Sequence, residues 1–541
     1  MASEAFTNIT ESISEDPFSR TLLGVDIVSN CIKDYAVKAN PEYSSDPISA
    51  IVALTKNQKE VITRKLRNYF PTSQRPTYKS RFHEFSNYED NGSKSQCAKY
   101  LPDDRKKEVD GSLEIDLSDH GSMYIEDQYF HFESGIPEYD PTDPVIATIE
   151  DFDPENIYYS YTAKPGIRLL KNYQFQCEGA GVQCVQRPLI QLIDEEMIPV
   201  NMKPLWNNLI GHDLGDEAQQ IVSDQEYCET RIMKTGYQTP KKVQEGLDLY
   251  IPLFLTYNSE KIARLNTSSF RHNSLDIKYT LERSSLMVRA EYRVGTDDPI
   301  AIRCKPLKIK NISLVSNYVE VGDVLYALNM CGGFKRYVDL PSVEKTCIRD
   351  LDESIDIQGR GSAVEAVYAY IVPKTYEEDF DLWVHHQPVQ KKCISCPAII
   401  LEDDGEPTRA AVTPAVLYEP FRCVESISMD WNGTEFKREN KPEIYEKLVK
   451  YRISKDTTRY HVEFPNNGIY AFVYNDLFPT RQISGLLNMA KTNKTTFNIK
   501  FCEEFCDPNN KLHEDYYAYF IIFNINSQLS YGRTVGTGHQ Q

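Results

Sequence analysis

The stretch Gly236–Glu282, GYQTPKKVQEGLDLYIPLFLTYNSEKIARLNTSSFRHNSLDIKYTLE, contains two segments with the patterning of strands. Leu275–Glu282 alternates between apolar and polar side chains, which is the period of a strand with one buried face. Leu247–Tyr257 is nearly all apolar from 249 to 255, which predicts a strand buried on both faces. Pro252 cannot donate a ladder hydrogen bond, so we expect an edge strand, a bulge or a strand start there. The stretch therefore predicts two strands joined by a polar connection.

The composition of the 541-residue chain favours a soluble all-β protein with more than one domain. Charged residues make up 26% and hydrophobic residues 41%, the usual balance of a globular protein. A single core stops growing at roughly 250–300 residues, so this length predicts at least two domains. The 35 Tyr, 23 Phe and 29 Pro, with little helical periodicity, favour strands over helices.

The net charge of −19, from 60 Lys and Arg against 79 Asp and Glu, argues against a surface that neutralises phosphates along a nucleic acid. The basic clusters are short and far apart in sequence, and we expect them to be solvated surface charge. They are Arg105–Lys107, Lys305–Lys310 and Lys391–Lys392. Direct binding to nucleic acid is therefore not expected.

No targeting signal is expected from the sequence. The first twenty residues are polar and acidic and lack the apolar core of a secretory signal. No apolar run approaches the roughly 18 residues of a membrane span, and the longest, around Leu249–Leu255 and Tyr517–Ile525, are predicted to be buried strands. The 13 cysteines are odd in number and irregularly spaced, which favours free thiols in a reducing compartment.

Residues 1–76 differ from the rest of the chain because helices are predicted there. Asp46-Pro47 supplies an N-cap followed by proline at the first helical position. A second helix is predicted from Asn57, where Glu60 completes a capping box, and Leu22–Ala36 is a third candidate. This helical arm either clamps a neighbouring subunit or packs under its own domain.

After residue 76 the pattern changes to strands. Alternation predicts strands in Tyr78–Phe85 and Leu113–Leu117. Pro165-Gly166 is predicted to form a turn, from which a strand at Ile167–Phe175 runs to a glycine-rich loop. We expect Ile309–Leu328 to supply the last strand of this half.

The strand pattern restarts beyond Gly332-Gly333. Ser354–Pro373 alternates, turns at its glycines and continues as an aromatic strand. Asn432-Gly433 is the strongest hairpin signal in the chain, and it lies between a strand and a short helix predicted at Lys441–Arg452. A further strand-rich segment follows at Gly468–Phe501, and Asp515–Gly532 is predicted to be the last strand.

Several of these segments resemble, in the same order, the major capsid proteins of nucleocytoplasmic large DNA viruses. Thr239-Pro240, the run LDLYIPL and the alternating strand after it are similar to the first jelly roll of that family. The second half resembles the family's apolar strand, proline, Ser-Gly-x-x-Asn step and closing strand. The matching residues are Pro479, Ser484–Asn488, Asn524, Asn526 and Tyr531.

The resemblance spans roughly Tyr78 to Tyr531 and is loose at two points. Phe254–Tyr257 stands where the family has Phe-Trp-Phe, and the basic first-strand motif is barely recognisable around Arg81–Asn87. Residues 1–76 lie outside the resemblance. The chain is therefore identified as a divergent member, or as a paralogue of the main shell protein.

The resemblance implies an all-β chain of two tandem eight-stranded antiparallel jelly rolls, a double jelly roll, with an N-terminal helical extension. Its boundaries would be 1–76 for the helical arm, 77–330 for the first jelly roll and 331–541 for the second. Long acidic loops at Pro137–Pro154 and Ala398–Val416 would then form an exposed tower surface, because loop closure costs rise only slowly with length.

The same resemblance implies a viral structural protein without enzymatic activity, cofactor or metal. It would be the major capsid protein, of which three copies form a pseudo-hexagonal, homotrimeric capsomer of an icosahedral shell. Its partners would be further copies of itself, neighbouring capsomers, minor capsid and penton proteins, and proteins of an inner membrane. It would occur in the virion capsid and, during assembly, in the host cytoplasm.

Two alternatives remain open at this point. A minor capsid or scaffold paralogue on the same fold is favoured by the divergent motifs and the extra N-terminal helices. A β-sandwich carbohydrate-binding protein or glycoside hydrolase is favoured by the many tyrosines and the acidic loops. The sequence singles out no pair of carboxylates for the separation of about 5–10 Å that a hydrolase needs.

Two cysteine pairs are candidate ligands for a metal. Cys393 with Cys396 and Cys502 with Cys506 together would provide the four thiolates of a zinc site. They fall in different predicted strands and lack finger-like spacing. Free or buried thiols are therefore the favoured interpretation.

The remaining candidates are a histidine pair and two acidic clusters. His385-His386 follows the acidic run Glu377–Asp381, which suggests metal or acid–base chemistry, but a polar loop explains the pair equally well. The clusters Glu150–Glu155 and Glu402–Glu406 fit no known calcium loop, and solvated tips are expected. Phosphate-loop, nucleophile-elbow and HExxH motifs do not occur in the sequence. No catalytic, cofactor-binding or metal-binding residue is therefore predicted.

Overall fold

The computed structural model describes most of the chain between residues 81 and 538. The predicted N-terminal helices, Cys396 and the acidic cluster at 402–406 lie outside the described residues. The described ranges are 81–86, 100–102, 112–116, 123–177, 180–212, 219–224, 229–234, 236–255, 265–266, 275–293, 299–320, 334–338, 341–357, 364–395, 399–401, 407–409, 414–431, 434–437, 440–456, 468–475, 487, 489, 494–508, 511–524, 527–531 and 536–538.

Strands are the main regular elements in the described part of the first half. In chain order they are β1 (Arg81–Ser86), β2 (Ser112–Asp116), β3 (Met123–Ser134), β4 (Ile157–Tyr161), β5 (Leu170–Cys177), β6 (Ala180–Gln186), β7 (Gln219–Asp224), β8 (Glu229–Lys234), β9 (Asp248–Pro252), β10 (Leu265–Asn266), β11 (Leu275–Leu281), β12 (Val288–Tyr292), β13 (Ile300–Ile302) and β14 (Ile309–Glu320). The helices are α1 (Pro165–Leu169), α2 (Arg187–Glu196) and α3 (Lys203–Leu209), with 3-10 turns at Ile146–Thr148, Pro154–Asn156, Val200–Met202 and Ser284–Leu286.

The second half repeats this composition. Its strands are β15 (Phe334–Val338), β16 (Ser342–Asp350), β17 (Asp352–Ile357), β18 (Val364–Pro373), β19 (Val389–Ser395), β20 (Ile399–Leu401), β21 (Pro407–Arg409), β22 (Pro414–Pro420), β23 (Val424–Trp431), β24 (Thr434–Lys437), β25 (Ile469–Val473), β26 (Thr495–Phe501), β27 (Lys511–Asn524), β28 (Ser527–Tyr531) and β29 (Gly536–Gly538). A π-helical turn at Ile444–Leu448 leads into α4 (Val449–Asp456), and 3-10 turns lie at Lys374–Glu378, Leu382–Val384 and Glu503–Phe505.

Eight strands of the first half form two facing sheets with the connectivity of a jelly roll. One sheet has the order β1-β14-β3, with β9 paired to the other edge of β3, and the second has the order β2-β11-β5-β6. All of these pairs are antiparallel. If these eight strands are numbered in chain order, one sheet has the strand order 1-8-3-6 and the other has the order 2-7-4-5. This is the double Greek key that closes a jelly roll.

Eight strands of the second half are arranged in the same order. The sheets are β16-β27-β18-β25 and β17-β26-β23-β24, again first–eighth–third–sixth and second–seventh–fourth–fifth. The predicted fold class, two tandem eight-stranded antiparallel jelly rolls, is confirmed. The predicted helical extension at 1–76 falls outside the described residues.

The stretch Gly236–Glu282 folds as predicted at one of its two strands and differently at the other. In β11, Ile277, Tyr279 and Leu281 are buried while the residues between them are half-buried. β9 is an edge strand that ends at Pro252, as the proline predicted. Burial on both faces was wrong, because burial alternates along β9 and only Leu249 and Ile251 face the core fully.

Two other predictions are corrected by the structure. Pro165-Gly166 does not form a simple turn but begins helix α1, so the strand starts at Leu170. Gly166 is needed there because a Cβ atom would lie 2.9 Å from the backbone of Ile210. Asp515–Gly532 is not one closing strand: β27 ends at Asn524, and the next strand, β28, pairs with β15 and β29 in a separate sheet.

Candidate functional site: the junction between the two jelly rolls

The two jelly rolls pack through one sheet of the second half. All ten residues of β18 are buried. Val367, Ala369 and Ile371 belong to the core inside the second jelly roll. On the opposite face, Ala366, Tyr368, Tyr370 and Val372 belong to the core that the first jelly roll contributes. Each fully buried side chain of this size stabilises the packed state by roughly 1.5–3 kcal/mol, so this contact resembles the interior of one domain.

Arg168 at the end of α1 anchors the second half to the first. Its side chain is 1% exposed, and its guanidinium donates to the backbone carbonyl oxygens of Glu377 at 3.0 Å and Asp379 at 3.2 Å. The guanidinium carbon lies 5.0 Å from the ring centroid of Trp383, in a cation–π contact. Burial, together with the charge of the neighbouring Arg187, lowers the pKa of Arg168 to about 9.

A short chain of hydrogen bonds continues from Trp383. Its indole Nε1 donates to Thr162 Oγ1 at 2.6 Å, and that hydroxyl donates to the carbonyl of Phe380 at 3.0 Å. The carbonyl of Trp383 accepts from Gln191 Nε2 at 2.9 Å. These bonds join residues about 200 positions apart, and they hold the segment 374–384 against α1 and α2.

The C-terminal end of α2 carries a buried network of charges. Asp194 accepts from Lys164 at 2.5 Å, from Lys203 at 3.1 Å and from the indole of Trp206 at 2.7 Å. Burial opposes its ionisation, but the two lysines outweigh burial and hold the pKa of Asp194 below its ordinary value. Two positions along, Glu196 accepts from Lys450 of α4 at 2.8 Å. Since Glu196 and Lys450 lie in different jelly rolls, this pair crosses the junction.

A third polar contact joins the halves at Asp381. Arg289 lies 3.3 Å from both of its carboxylate oxygens, and the hydroxyl of Tyr418 lies 3.3 Å from one of them. Burial raises the pKa of Asp381 to about 6, although Arg289 acts in the opposite direction. Gly236 lies against the same residue with φ +77°, and a Cβ atom there would come within 2.0 Å of the Asp381 carbonyl oxygen.

A cleft of about 300 Å³ opens between the jelly rolls beside Arg168. The first half contributes residues of α1, β5, β6 and α2, and the second half contributes residues of β16, β18, β27 and the segment 376–385. The wall contains apolar and aromatic residues, among them Tyr370, Val372 and Tyr519, and a larger number of charged ones. The cleft is therefore a polar pocket built by both halves.

The histidine pair and the acidic run singled out by the sequence lie in this junction. His386 is buried, and its ring meets that of Tyr370 edge-on at 4.9 Å. His385 is half-buried, faces the ring of Tyr418 at 5.7 Å and lines the cleft. Glu377 lies 2.5 Å from Lys345. The expected polar loop is therefore a structural part of the junction.

The cysteine pairs and the acidic loop 150–155, the other candidates from the sequence, form no site in the described part of the chain. Cys502 and Cys506 are half-buried free thiols, whereas the side chain of Cys393 and the whole of Cys396 lie outside what the structure describes. Within the described ranges, no group of three His, Cys, Asp or Glu side chains is placed to hold a metal ion. In the loop 150–155, Asp153 caps a 3-10 turn by accepting from the backbone of Glu155 at 3.0 Å.

The buried charged residues of the junction were not predicted from the sequence. Arg168, Glu196, Arg289 and Lys450 join the two halves, and Lys164 and Asp194 belong to the charge network at the end of α2 in the first half. One signal was present, because Arg168 interrupts the apolar run GIRLL and α2 carries acids beside its apolar stripe. A charge inside an apolar segment needs a buried partner, but the partner itself lies too far along the chain to be inferred.

The described part of the chain contains no helix that is long and apolar enough to cross a membrane. No family model matches the sequence. No curated protein matches it either.

Solved structures do match the double jelly roll. The Faustovirus major capsid protein superposes with a TM-score of 0.56 at 14% sequence identity, covering 94% of this chain and 99% of that chain. VP54 of PBCV-1, in a crystal structure fitted into a cryo-EM reconstruction of the virophage Sputnik, superposes with a TM-score of 0.50 at 11% identity, covering 85% and 98%. At these identities the likeness establishes the fold, which is that of double jelly-roll capsid proteins.

Proposed function

We propose that this protein is a viral capsid subunit and acts as the major capsid protein of an icosahedral shell. Three copies form a pseudo-hexagonal, homotrimeric capsomer. The observation that carries this proposal is the joining of two jelly rolls of identical strand order into one body through a buried junction. The capsid proteins with the same fold, matched over nearly their whole length, support it.

The geometry of two similar lobes supports the trimer. A subunit with two lobes of one topology presents six lobes when three copies close around a threefold axis, which approximates a hexagon. Hexagonal blocks tile a flat face through repeated side contacts, and each contact can be weak because many act together. A rigid junction is needed for this, because lobes that moved independently would not hold one outline.

A structural role without enzymatic activity is supported by the state of the acids in the cleft. Its carboxylates are ion-paired: Glu282 with Arg187, Glu377 with Lys345 and Glu378 with Arg283. Burial favours protonation of Glu282, but Arg187 and Arg168 outweigh it and hold the pKa of that carboxyl below its ordinary value. A glycosidase acid needs a raised pKa, which speaks against the hydrolase alternative here.

We further propose the domain boundaries 77–330 and 331–541, with 1–76 as a helical arm. β14, the last strand of the first jelly roll, ends at residue 320, and the next strand, β15, begins at residue 334. This supports a boundary between residues 330 and 331. The partners in this proposal are neighbouring capsomers, minor capsid and penton proteins, and proteins of an inner membrane. The protein resides in the virion capsid and passes through the host cytoplasm during assembly.

Negative-stain electron microscopy of the purified protein tests the proposal. Averaged images should show a roughly hexagonal particle with threefold symmetry. Single particles with two lobes and no threefold symmetry would overturn the trimeric capsomer. The copy number per virion then separates the major capsid protein from a minor paralogue, since a major subunit is the most abundant shell protein.

A further inference from the structure

The cleft between the jelly rolls carries more positive than negative charge. The carboxylates among its described lining residues are Glu282, Glu377 and Glu378. The lysines and arginines among them are Arg168, Lys171, Arg187, Arg283 and Lys345. The difference is two positive charges, in a protein whose net charge is −19. A local excess of this sign focuses anions into a concave site.

The ion pairs account for three of the five cations. Arg187 pairs with Glu282, Arg283 lies 3.2 Å from Glu378, and Lys345 lies 2.5 Å from Glu377. Among the described residues, Arg168 and Lys171 form no direct ion pair with a carboxylate, although Glu282 and Asp379 act on the charge of Arg168 from a greater distance. Arg168 is bonded to carbonyl oxygens only, so its positive charge is buried without a bonded counter-ion. A buried charge in that state is costly unless an anion compensates it.

Buried donors also lack acceptors at this place. Within the described residues, the Nε–H groups of Arg168 and Arg187 have no hydrogen-bond partner. Both side chains line the cleft and are more than nine-tenths buried. A buried donor without an acceptor loses its hydrogen bond to water and gains none in return. Two such donors beside one polar cleft indicate a missing acceptor with several oxygens.

We propose that the cleft binds a phosphate dianion, either free or as the terminal group of a phosphate ester, through Arg168 and Lys171. Two negative charges balance the excess of two positive charges, whereas a single carboxylate would balance half of it. Phosphate oxygens are the acceptors that arginine forks bind best. The exposed Lys171 and the partly exposed Arg283 lie on the open side, where the ligand enters.

The bound anion would act on the junction itself. Its ligands Arg168 and Lys171 belong to the first jelly roll, and the opposite wall, with Lys345 and Tyr519, belongs to the second. The cleft exists only while the two walls are packed together, so a ligand that binds in it stabilises the junction against opening. This inference does not depend on whether the subunit forms a trimer.

The test is titration calorimetry of the full chain with inorganic phosphate, at an ionic strength held constant with sodium chloride. Saturable binding is expected, together with a rise of the thermal unfolding midpoint. Lys171→Gln should weaken the affinity by about tenfold, which corresponds to about 1.4 kcal/mol. Because the side chain of Lys171 is exposed, we expect this variant to fold normally, whereas Arg168 is too deeply buried to be substituted without disturbing the fold.

Lys308→Gln is the matched control, because Lys308 is an exposed lysine of the same jelly roll outside the cleft. Its affinity for phosphate should equal that of the wild type. Glycerol 3-phosphate is the second probe: equal binding identifies a phosphate ester site, and preference for inorganic phosphate identifies a site for the free ion. The proposal is overturned if neither probe binds saturably, or if Lys171→Gln binds phosphate as the wild type does.

Discussion

Lys450 and Glu196 form an ion pair of 2.8 Å between the two jelly rolls, and each side chain is only 2% exposed. The residues are 254 positions apart in sequence. Such a pair is not a large net source of stability, because both charges lose their water on burial. Its effect is on specificity, since either charge without the other would lose its ion-pair partner across the junction. The pair therefore favours one relative placement of the two jelly rolls.

Breaking this pair on one side should be strongly destabilising. Lys450→Met leaves Glu196 buried without its cation, and we expect a loss of about 3–5 kcal/mol in the free energy of unfolding. The double variant Lys450→Met with Glu196→Leu should recover most of the loss. Urea unfolding measures both. Lys511→Gln, which breaks an exposed pair with Asp350, is the control and should change little. If the single and double variants lost the same free energy of unfolding, the loss would not come from breaking the ion pair.

The hydroxyl of Thr162 should matter more than its size suggests. Thr162→Val keeps the shape of the side chain but leaves the indole N–H of Trp383 without its acceptor and the carbonyl of Phe380 without its donor. We expect a loss of about 1–3 kcal/mol, measured by thermal unfolding. Thr148→Val removes an exposed hydroxyl that donates to Val145 and serves as the control. If Thr162→Val and Thr148→Val lost the same stability, the hydrogen bonds of the Thr162 hydroxyl would not stabilise the junction.

Asp381 should make the junction sensitive to pH. Its folded-state pKa of about 6 is above the ordinary value of 3.8, so between these values the folded chain binds a proton that the unfolded chain has lost. The contribution of Asp381 to the free energy of unfolding therefore falls as pH rises from about 4 to 6, by about 2–3 kcal/mol at most.

Asp381→Asn removes that dependence. The free energy of unfolding of the variant, minus that of the wild type, should be larger at pH 7 than at pH 4. Urea unfolding at both pH values measures it. Comparing the two proteins at each pH cancels the contributions of other titrating groups. Parallel pH profiles of the two proteins would show that Asp381 does not titrate in this window.

Gly236 should not tolerate a side chain. Its φ of +77° costs an L-residue roughly 1–2 kcal/mol, and the Cβ atom would meet the Asp381 carbonyl oxygen at 2.0 Å. Gly236→Ala should therefore lower the free energy of unfolding by more than about 2 kcal/mol. Gly135→Ala is the matched control, because its Cβ would find its nearest neighbour, Lys308 Cβ, at 3.4 Å. An unfolding midpoint as high as that of the control would disprove the close approach.

The sequence predicted the jelly rolls well because their signals are local. The period of two around Ile277 and Tyr279 describes a strand whose faces differ. Asn432-Gly433 falls in the sequence between β23 and β24, which pair with each other. Pro252 correctly indicated an edge. These features depend on neighbours along the chain, and family resemblance supplied the order in which they recur.

The junction could not be predicted in the same way because its signals are not local. β18 reads as an ordinary aromatic strand, and only the fold shows that its second face packs against the other jelly roll. Arg168 and Lys450 look like surface charges until their partners are known. Pro165-Gly166 was misread because turns and first helical turns favour the same residues.

The mass of the protein in solution, measured by light scattering behind a sizing column, tests the central claim most directly. The chain is 62.3 kDa, so we predict a species of about 187 kDa, three times that mass. A single species of 62.3 kDa would contradict the homotrimeric capsid subunit.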